Sequence, residues 1–441
     1  MKRLLKTAIL GAASALALAA SPAAAQDLVI TNATLVLGDG SEPIENGVLV
    51  IENGEVKSAG RPSPIMVTPS DTPVIDAGGA YVTPGLFATV TTIGIWDVGA
   101  VSESNDQRAG GASFGAALDA APIVNPNSQH VLVHREAGIT RAATTTLPTD
   151  SIFAGQGAII DLDSDATPVM KAKAFQMVDL GERGGAIAGG SRAAAHVLFR
   201  AALREAAALT AGLPRTPPIT VDGEIMLSRF DAEALRPVVN GTQKLYVHVE
   251  RASDIRAALA LKGEFAKLDM VLVGVSEGWL VASEIARAGV PVIADGLDDL
   301  PSSFEQLAAT QSNIGRMKDA GVTVAINASS DRNPRRLSQI AGNLVALNKV
   351  PGASGLSWGE AFAAISSVPA SISGLGGQAG VLKAGAIGDV VVWDGDPLEV
   401  GSVPTKVYIG GVDQPLGNHQ SRLRDRYRDL DESDLPKAYD W

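Results

Sequence analysis

The chain has 441 residues, 46% of them hydrophobic, no cysteine and a formal net charge of −12. That much apolar sequence fills a large core and suits one big domain with a smaller companion. The missing cysteines exclude disulfides and a lipid-modified cysteine anchor, and so acidic a surface argues against nucleic acid or an anionic membrane as partner.

The first residues read "MKRLLKTAILGAASALALAASPAAAQ". A cationic start at Lys2, Arg3 and Lys6, an apolar run from Ala8 to Ala20 and the small residues Ala23 to Ala25 have the order of a secretory signal peptide. Residues 1–25 are therefore expected to be removed, leaving a soluble periplasmic or secreted protein. Losing three cations and no acid takes the formal charge from −12 to −15. No later stretch is apolar enough for a membrane span.

"LVITNATLVL" (28–37) is expected to be a strand, and "GVLVIENGEVKSAG" (47–60) two strands joined by an Asn53-Gly54 hairpin turn. "TPVIDAGGAYVTPGL" adds a short strand pair. The chain then alternates. Strands are predicted at "AGITRAATTTL", 244–249, 269–275, 290–295 and 322–327, and helices at 192–209, 252–266, 278–289, 303–321 and 357–368. Apolar strands alternating with helices predict a parallel sheet buried on both faces, and about 290 residues suit a (β/α)8 TIM-like barrel. The competing doubly wound sheet lacks a Gly-rich nucleotide loop in its first unit. "GDVVVWDGDP" and "TKVYIGGV" return to short strands. The expected organisation is a composite β-sandwich domain from 26–83 and 376–412, a barrel over 84–375, and a charged tail over 413–441.

A barrel bracketed by a split β-domain, with "VIDAGGAYVTPGL" at the first junction and "GAIGDVVVWDGDP" at the last, resembles the amidohydrolase superfamily, in particular its imidazolonepropionase-like, metal-dependent members. The resemblance runs along nearly the whole chain after residue 25 and implies hydrolysis of non-peptide carbon–nitrogen bonds. It also implies a metal site at the C-terminal mouth of the barrel: a His-x-His pair on the first strand, histidines on the fifth and sixth, an aspartate on the eighth, and often a bridging Lys or Glu. Strand residues i and i+2 face the same side, so such a pair reaches one ion.

In the register this implies, Val90 and Thr92 hold the first-strand histidine positions, Ala88 stands at a nearby aspartate position, and Gly274 holds the sixth-strand histidine position. His248 matches the fifth-strand ligand and Asp331 the eighth-strand metal-binding, proton-accepting aspartate, while Glu250 stands where relatives often have another histidine. "GQGAIIDL" (155–162), read as the fourth strand, offers Ile160 and Asp161 but no bridging lysine. A hydrolytic zinc needs three protein ligands and an open water position. His248 and Asp331 alone hold it weakly, so the cofactor expectation is none or one weakly bound divalent metal, zinc foremost.

Each candidate also has an ordinary reading. His248 suits a hydrogen-bonded place at the barrel mouth, Asp331 a helix cap or a partner of Arg332, Arg335 or Arg336, and Glu250 a pair with Arg251 or Arg256. His130 and His134 share one helix face in a surface or packing role, His196 suits packing, and His419 lies in the solvated tail. Two Gly-x-Ser-x-Gly matches lack the strand–turn–helix context of a nucleophile elbow, and Ser357 with Glu360 forms a capping box instead. Three functions stay open. One is an impaired or silent amidohydrolase that binds a small molecule or forms homo-oligomers or hetero-oligomers with an active paralogue. Another is an active amidohydrolase using His248, Glu250 and Asp331, or Asp331 as a metal-free base. The last is a periplasmic binding or scaffold protein.

Overall fold

A computed structural model describes residues 26–63, 72–210, 227–328 and 334–428. The expected signal peptide, Asp331 and the last thirteen residues of the tail lie outside the described residues. In chain order the strands are β1 (Leu28–Leu35), β2 (Ile44–Glu52), β3 (Glu55–Gly60), β4 (Val74–Asp76) and β5 (Tyr81–Pro84), then β6 (Leu86–Thr91), β7 (Ile139–Thr144), β8 (Phe153–Asp161), β9 (Val169–Asp179), β10 (Lys244–Val249), β11 (Met270–Gly274), β12 (Val292–Asp295) and β13 (Val324–Asn327), and last β14 (Val390–Trp393), β15 (Pro404–Ile409) and β16 (Val412–Asp413).

The chain's two ends build one sheet of order β16-β15-β14-β5-β1-β2-β3, with β4 also on β1. Asn53 and Gly54 connect β2 to β3 at φ 54° and 79°, the left-handed pair that a two-residue hairpin turn requires. The sheet folds back on itself, because Val56 N donates to Ala386 O at 2.8 Å and Gly385 N to Val56 O at 2.9 Å. Ile30, Leu49, Val56, Val82, Val390 and Tyr408 consequently share one buried cluster drawn from both ends of the sequence.

The middle of the chain forms a second eight-stranded sheet in sequential order, β6 through β13. It is a nearly closed barrel. The main chain at Ala364–Ile365 fills the seam, accepting from Ile326 N at 2.9 Å and from Phe87 N at 3.0 Å. Phe87, Ala143, Phe175, Met177, Tyr246, Val273, Ile293 and Ala325 form the inner apolar cluster. Neighbouring residues of opposite parity, among them Ala88, Val178, Val247, Leu272 and Ile326, pack outward against the helices. This alternation on every strand is why the strands read as continuous apolar runs.

Three local expectations are corrected. Residues 155–162 are not a fourth parallel strand: β8 is third in the barrel and antiparallel to both neighbours. The connections 145–152 and 162–168 are too short for a helical crossover, so they turn as hairpins. The helix expected over 303–321 spans only Asn313–Asp319, because Glu305 and Gln306 turn inward to bond Glu182 N, Arg192 and Ser276. The helix expected over 357–368 breaks into Trp358–Ala363 and Ser367–Ile372 around the carbonyls that fill the seam, while the Ser357–Glu360 capping box forms as read.

Barrel and small sheet are clamped together by a buried ion pair. Arg141 of β7 donates to both oxygens of Asp389 at 2.7 and 2.9 Å, and Thr140 Oγ1 and Gly410 N complete that carboxylate. Asp161 stands 3.6 Å from Arg141.

Candidate functional site at the barrel mouth

Strand alternation carries His248 of β10, and Glu250 just past its end, inward, since Tyr246 two residues before His248 belongs to the inner cluster. His248 lies between two carboxylates, with Nδ1 3.3 Å from Asp179 Oδ2 and Nε2 3.1 Å from Glu250 Oε1. Asp179 ends β9, buried, and accepts from Gly181 N and Gly184 N at 2.9 Å each. Glu250 accepts from Ser276 N at 2.8 Å and Ser276 Oγ at 2.7 Å.

Gly274 explains how Glu250 fits. A Cβ at this position would stand 2.4 Å from Glu250 Oε1 and 2.7 Å from its Cδ, and the backbone φ of +88° is one that glycine alone adopts freely. The carboxylate of Glu250 occupies the space into which a side chain at 274 would project. The expected pairing of Glu250 with Arg251 or Arg256 is therefore corrected: Arg251 pairs with Asp254 and Arg256 with Glu284.

Charge in this triad is mutually fixed. Burial alone lowers the His248 pKa, but Asp179 and Glu250 outweigh it and hold the imidazole well above its ordinary value. Burial raises both carboxyls, yet hydrogen bonds from His248 and from main-chain N–H groups keep each below its usual range. Asp295 at the end of β12 is the opposite case. Its burial, then Asp298 and Glu250, push it well above the carboxylate range, and Asp298 is raised by burial and Glu250.

The first strand does not present two side chains in simple alternation. Its pairing with β7 slips between Ala88 and Thr91, and Val90 sits at φ 47°, an outlier for a β-branched residue. Val90 packs partly buried against the inner cluster, while Thr92 is buried and its hydroxyl accepts from Gln107 Nε2 at 2.8 Å. Ala88 faces the outer layer. Thr89 Oγ1 reaches across the seam to Asn327 Oδ1 at 3.5 Å.

Among the described residues no group of three or more His, Cys, Asp or Glu side chains is placed to hold a metal ion. His248 cannot offer a ring nitrogen without giving up a carboxylate partner, and Gly274 offers nothing, so the described residues do not fit a catalytic zinc. His134 lies apart and buried, its pKa lowered to about 4 chiefly by that burial, and His130 stacks on Trp96 at 3.7 Å, so both serve packing. His196 is partly buried beside Arg200, and His419 is partly buried rather than solvated, its Nδ1 without a partner. Sequence reasoning missed Asp179, Ser276, Asp295 and Asp298. Only "MVDLG" and "IADG", each an apolar run ending in an aspartate, carried a usable sign of a barrel-mouth carboxylate.

No family model matches the chain. It is 29% identical over 195 residues to the amidohydrolase TasK of Hapsidospora irregularis, covering 43% of this chain and 19% of that protein. It is 32% identical over 152 residues to the imidazolonepropionase of Chromobacterium violaceum, covering 34% of each. The chain thus spans well under two thirds of the length of these curated relatives. An amidohydrolase structure from Thermotoga maritima superposes with a TM-score of 0.75 at 21% identity, covering 88% of this chain and 99% of that one. A triazine hydrolase variant superposes at 0.53 and 14%, covering 91% and 98%. No described helix is long and apolar enough to cross a membrane. The chain is thus similar in part of its sequence to an amidohydrolase and an imidazolonepropionase, and it shares the amidohydrolase fold of a split small sheet beside an eight-stranded barrel.

Proposed function

We propose that this protein keeps the amidohydrolase barrel but not metal-dependent hydrolysis, and acts as a catalytically impaired or silent member that binds a small molecule at the mouth or partners an active paralogue. The observation that carries this is the Asp179–His248–Glu250 triad, in which the fifth-strand imidazole lies between two carboxylates and Glu250 fills the space beside Gly274. An imidazole whose two nitrogens both face carboxylates is not free to serve as metal ligand or base. The rival reading, an active site of His248, Glu250 and Asp331, needs one ring nitrogen of His248 released from its carboxylate, which costs a charged contact in a part-buried place. Export to the periplasm belongs to this proposal on the strength of residues 1–25.

The test is hydrolysis. Purified protein, supplied with zinc or manganese, is assayed against a panel of N-acyl amino acids and cyclic amides. No turnover above a heat-treated control is expected. A kcat of about 1 s⁻¹ or more on any of them, in the ordinary enzymatic range, would overturn the proposal.

A further inference from the structure

A cavity of about 290 Å³ lies away from the mouth. Its apolar lining comes from Ile152 and Phe153 at the start of β8, from Leu198 of the helix Arg192–Thr210, and from Phe114 and Leu227. Ile152 and Phe153 belong to the outer packing layer, so the cavity is off the barrel axis, and Asp179, His248 and Glu250 do not line it. Asp231, in the first turn of the helix Arg229–Ala234, lines it and is only 6% exposed. Its Oδ1 accepts from Gly115 N at 3.0 Å and from Ala117 N at 2.8 Å. Its Oδ2 has no hydrogen-bond partner among the described residues and is the oxygen left to the cavity. A buried carboxylate oxygen without a donor is costly. At the rim Phe114, 39% exposed, meets Phe230, 67% exposed, edge to face at 6.1 Å.

From this we propose that the cavity binds a primary organic ammonium, whose N–H groups complete Asp231 and whose hydrocarbon part packs on Phe114, Phe153 and Leu198. A volume of about 30 Å³ per water-sized group leaves room for about ten non-hydrogen atoms. The ammonium supplies the charge-assisted bond that Oδ2 lacks. A guanidinium suits the place less, because its planar fork seeks both carboxylate oxygens and Oδ1 is already taken by main-chain N–H groups. A metal ion needs several oxygen ligands where this cavity has apolar walls. An anion would meet Asp231 together with Asp150 and Glu205, and none of the described lining residues is basic. The inference holds whether or not the barrel mouth is catalytic.

The experiment is calorimetric titration of the whole protein with phenethylammonium, phenethyl alcohol and hydrocinnamate at constant ionic strength. The ammonium is expected to bind, the alcohol about tenfold more weakly or not at all, and the carboxylate not at all. Asp231→Asn keeps an oxygen for Gly115 N and Ala117 N but loses the charge, and should weaken ammonium binding about tenfold, about 1.4 kcal/mol. Ala201→Leu, on the helix side of the cavity, fills the space without touching those hydrogen bonds and should abolish binding. It decides the matter if Asp231→Asn does not fold, as read by circular dichroism. Asp269→Asn, beside Lys244 and outside the cavity lining, should leave binding unchanged. Absence of ammonium binding at about 10 mM, equal affinity for the alcohol or the carboxylate, or binding indifferent to Ala201→Leu overturns the inference.

Discussion

Replacing Gly274 by alanine probes the arrangement on which the mouth depends. The new methyl group would lie 2.4 Å from Glu250 Oε1, so one of the two must move. If Glu250 yields, it loses its bonds to Ser276 N, Ser276 Oγ and His248. Hydrogen bonds to charged groups contribute about 1.5–3 kcal/mol each, and partial loss of this set costs about 3 kcal/mol. Holding alanine at φ +88° adds about 1–2 kcal/mol of backbone strain. Gly274→Ala is therefore expected to destabilise by about 4 kcal/mol, and Glu250→Ala by about 2–4 kcal/mol through the uncompensated His248 and Ser276. In the double variant the collision is gone and only the strain is added, so the pair should be non-additive by about 3 kcal/mol. Urea unfolding followed by circular dichroism measures all three. Additive effects, or a Gly274→Ala cost under about 1 kcal/mol, would refute the claim that Glu250 fills the space at 274.

Two further outcomes follow from the charges. His248 is expected to remain an imidazolium at pH 7.5 by its ring carbon and nitrogen chemical shifts, and Glu250→Gln to shift its titration downward; a neutral ring in the parent protein at that pH contradicts the triad. Asp161, pushed up to about 7 mainly by burial with Arg141 pulling the other way, binds its proton more tightly folded than unfolded. Its penalty to stability is therefore absent below pH 4 and grows as pH rises toward 7. Asp161→Asn should stabilise the protein by about 1–2 kcal/mol at pH 8 and by nothing at pH 4, measured by urea midpoints; equal effects at both pH values would contradict the assignment.

The barrel was legible because its strands bury both faces. Residues 244–249 and the helix from Ala252 stand out as apolar runs with clear starts, and the Asn53-Gly54 turn is local chemistry. The reversed third strand was not legible, since an apolar run carries no direction and only the short connections at 145–152 and 162–168 hint at it. At the site, motif register picked out His248, Glu250 and Gly274 together, but not their relation. That Glu250 turns inward to replace a side chain at 274 depends on a cross-strand distance. Asp179 was missed because β9 opens with polar, exposed residues at Lys171–Lys173, which hide its apolar end.

The most direct test is the metal content of the protein. It is purified from cells grown with zinc, manganese and iron available and analysed by elemental mass spectrometry, then titrated with zinc. The expected result is far less than one ion per chain, with unfolding midpoints unchanged by zinc or by a chelator. One tightly held ion per chain, released on His248→Ala and raising the unfolding midpoint, would contradict the central claim that His248 is held between carboxylates rather than serving as a ligand.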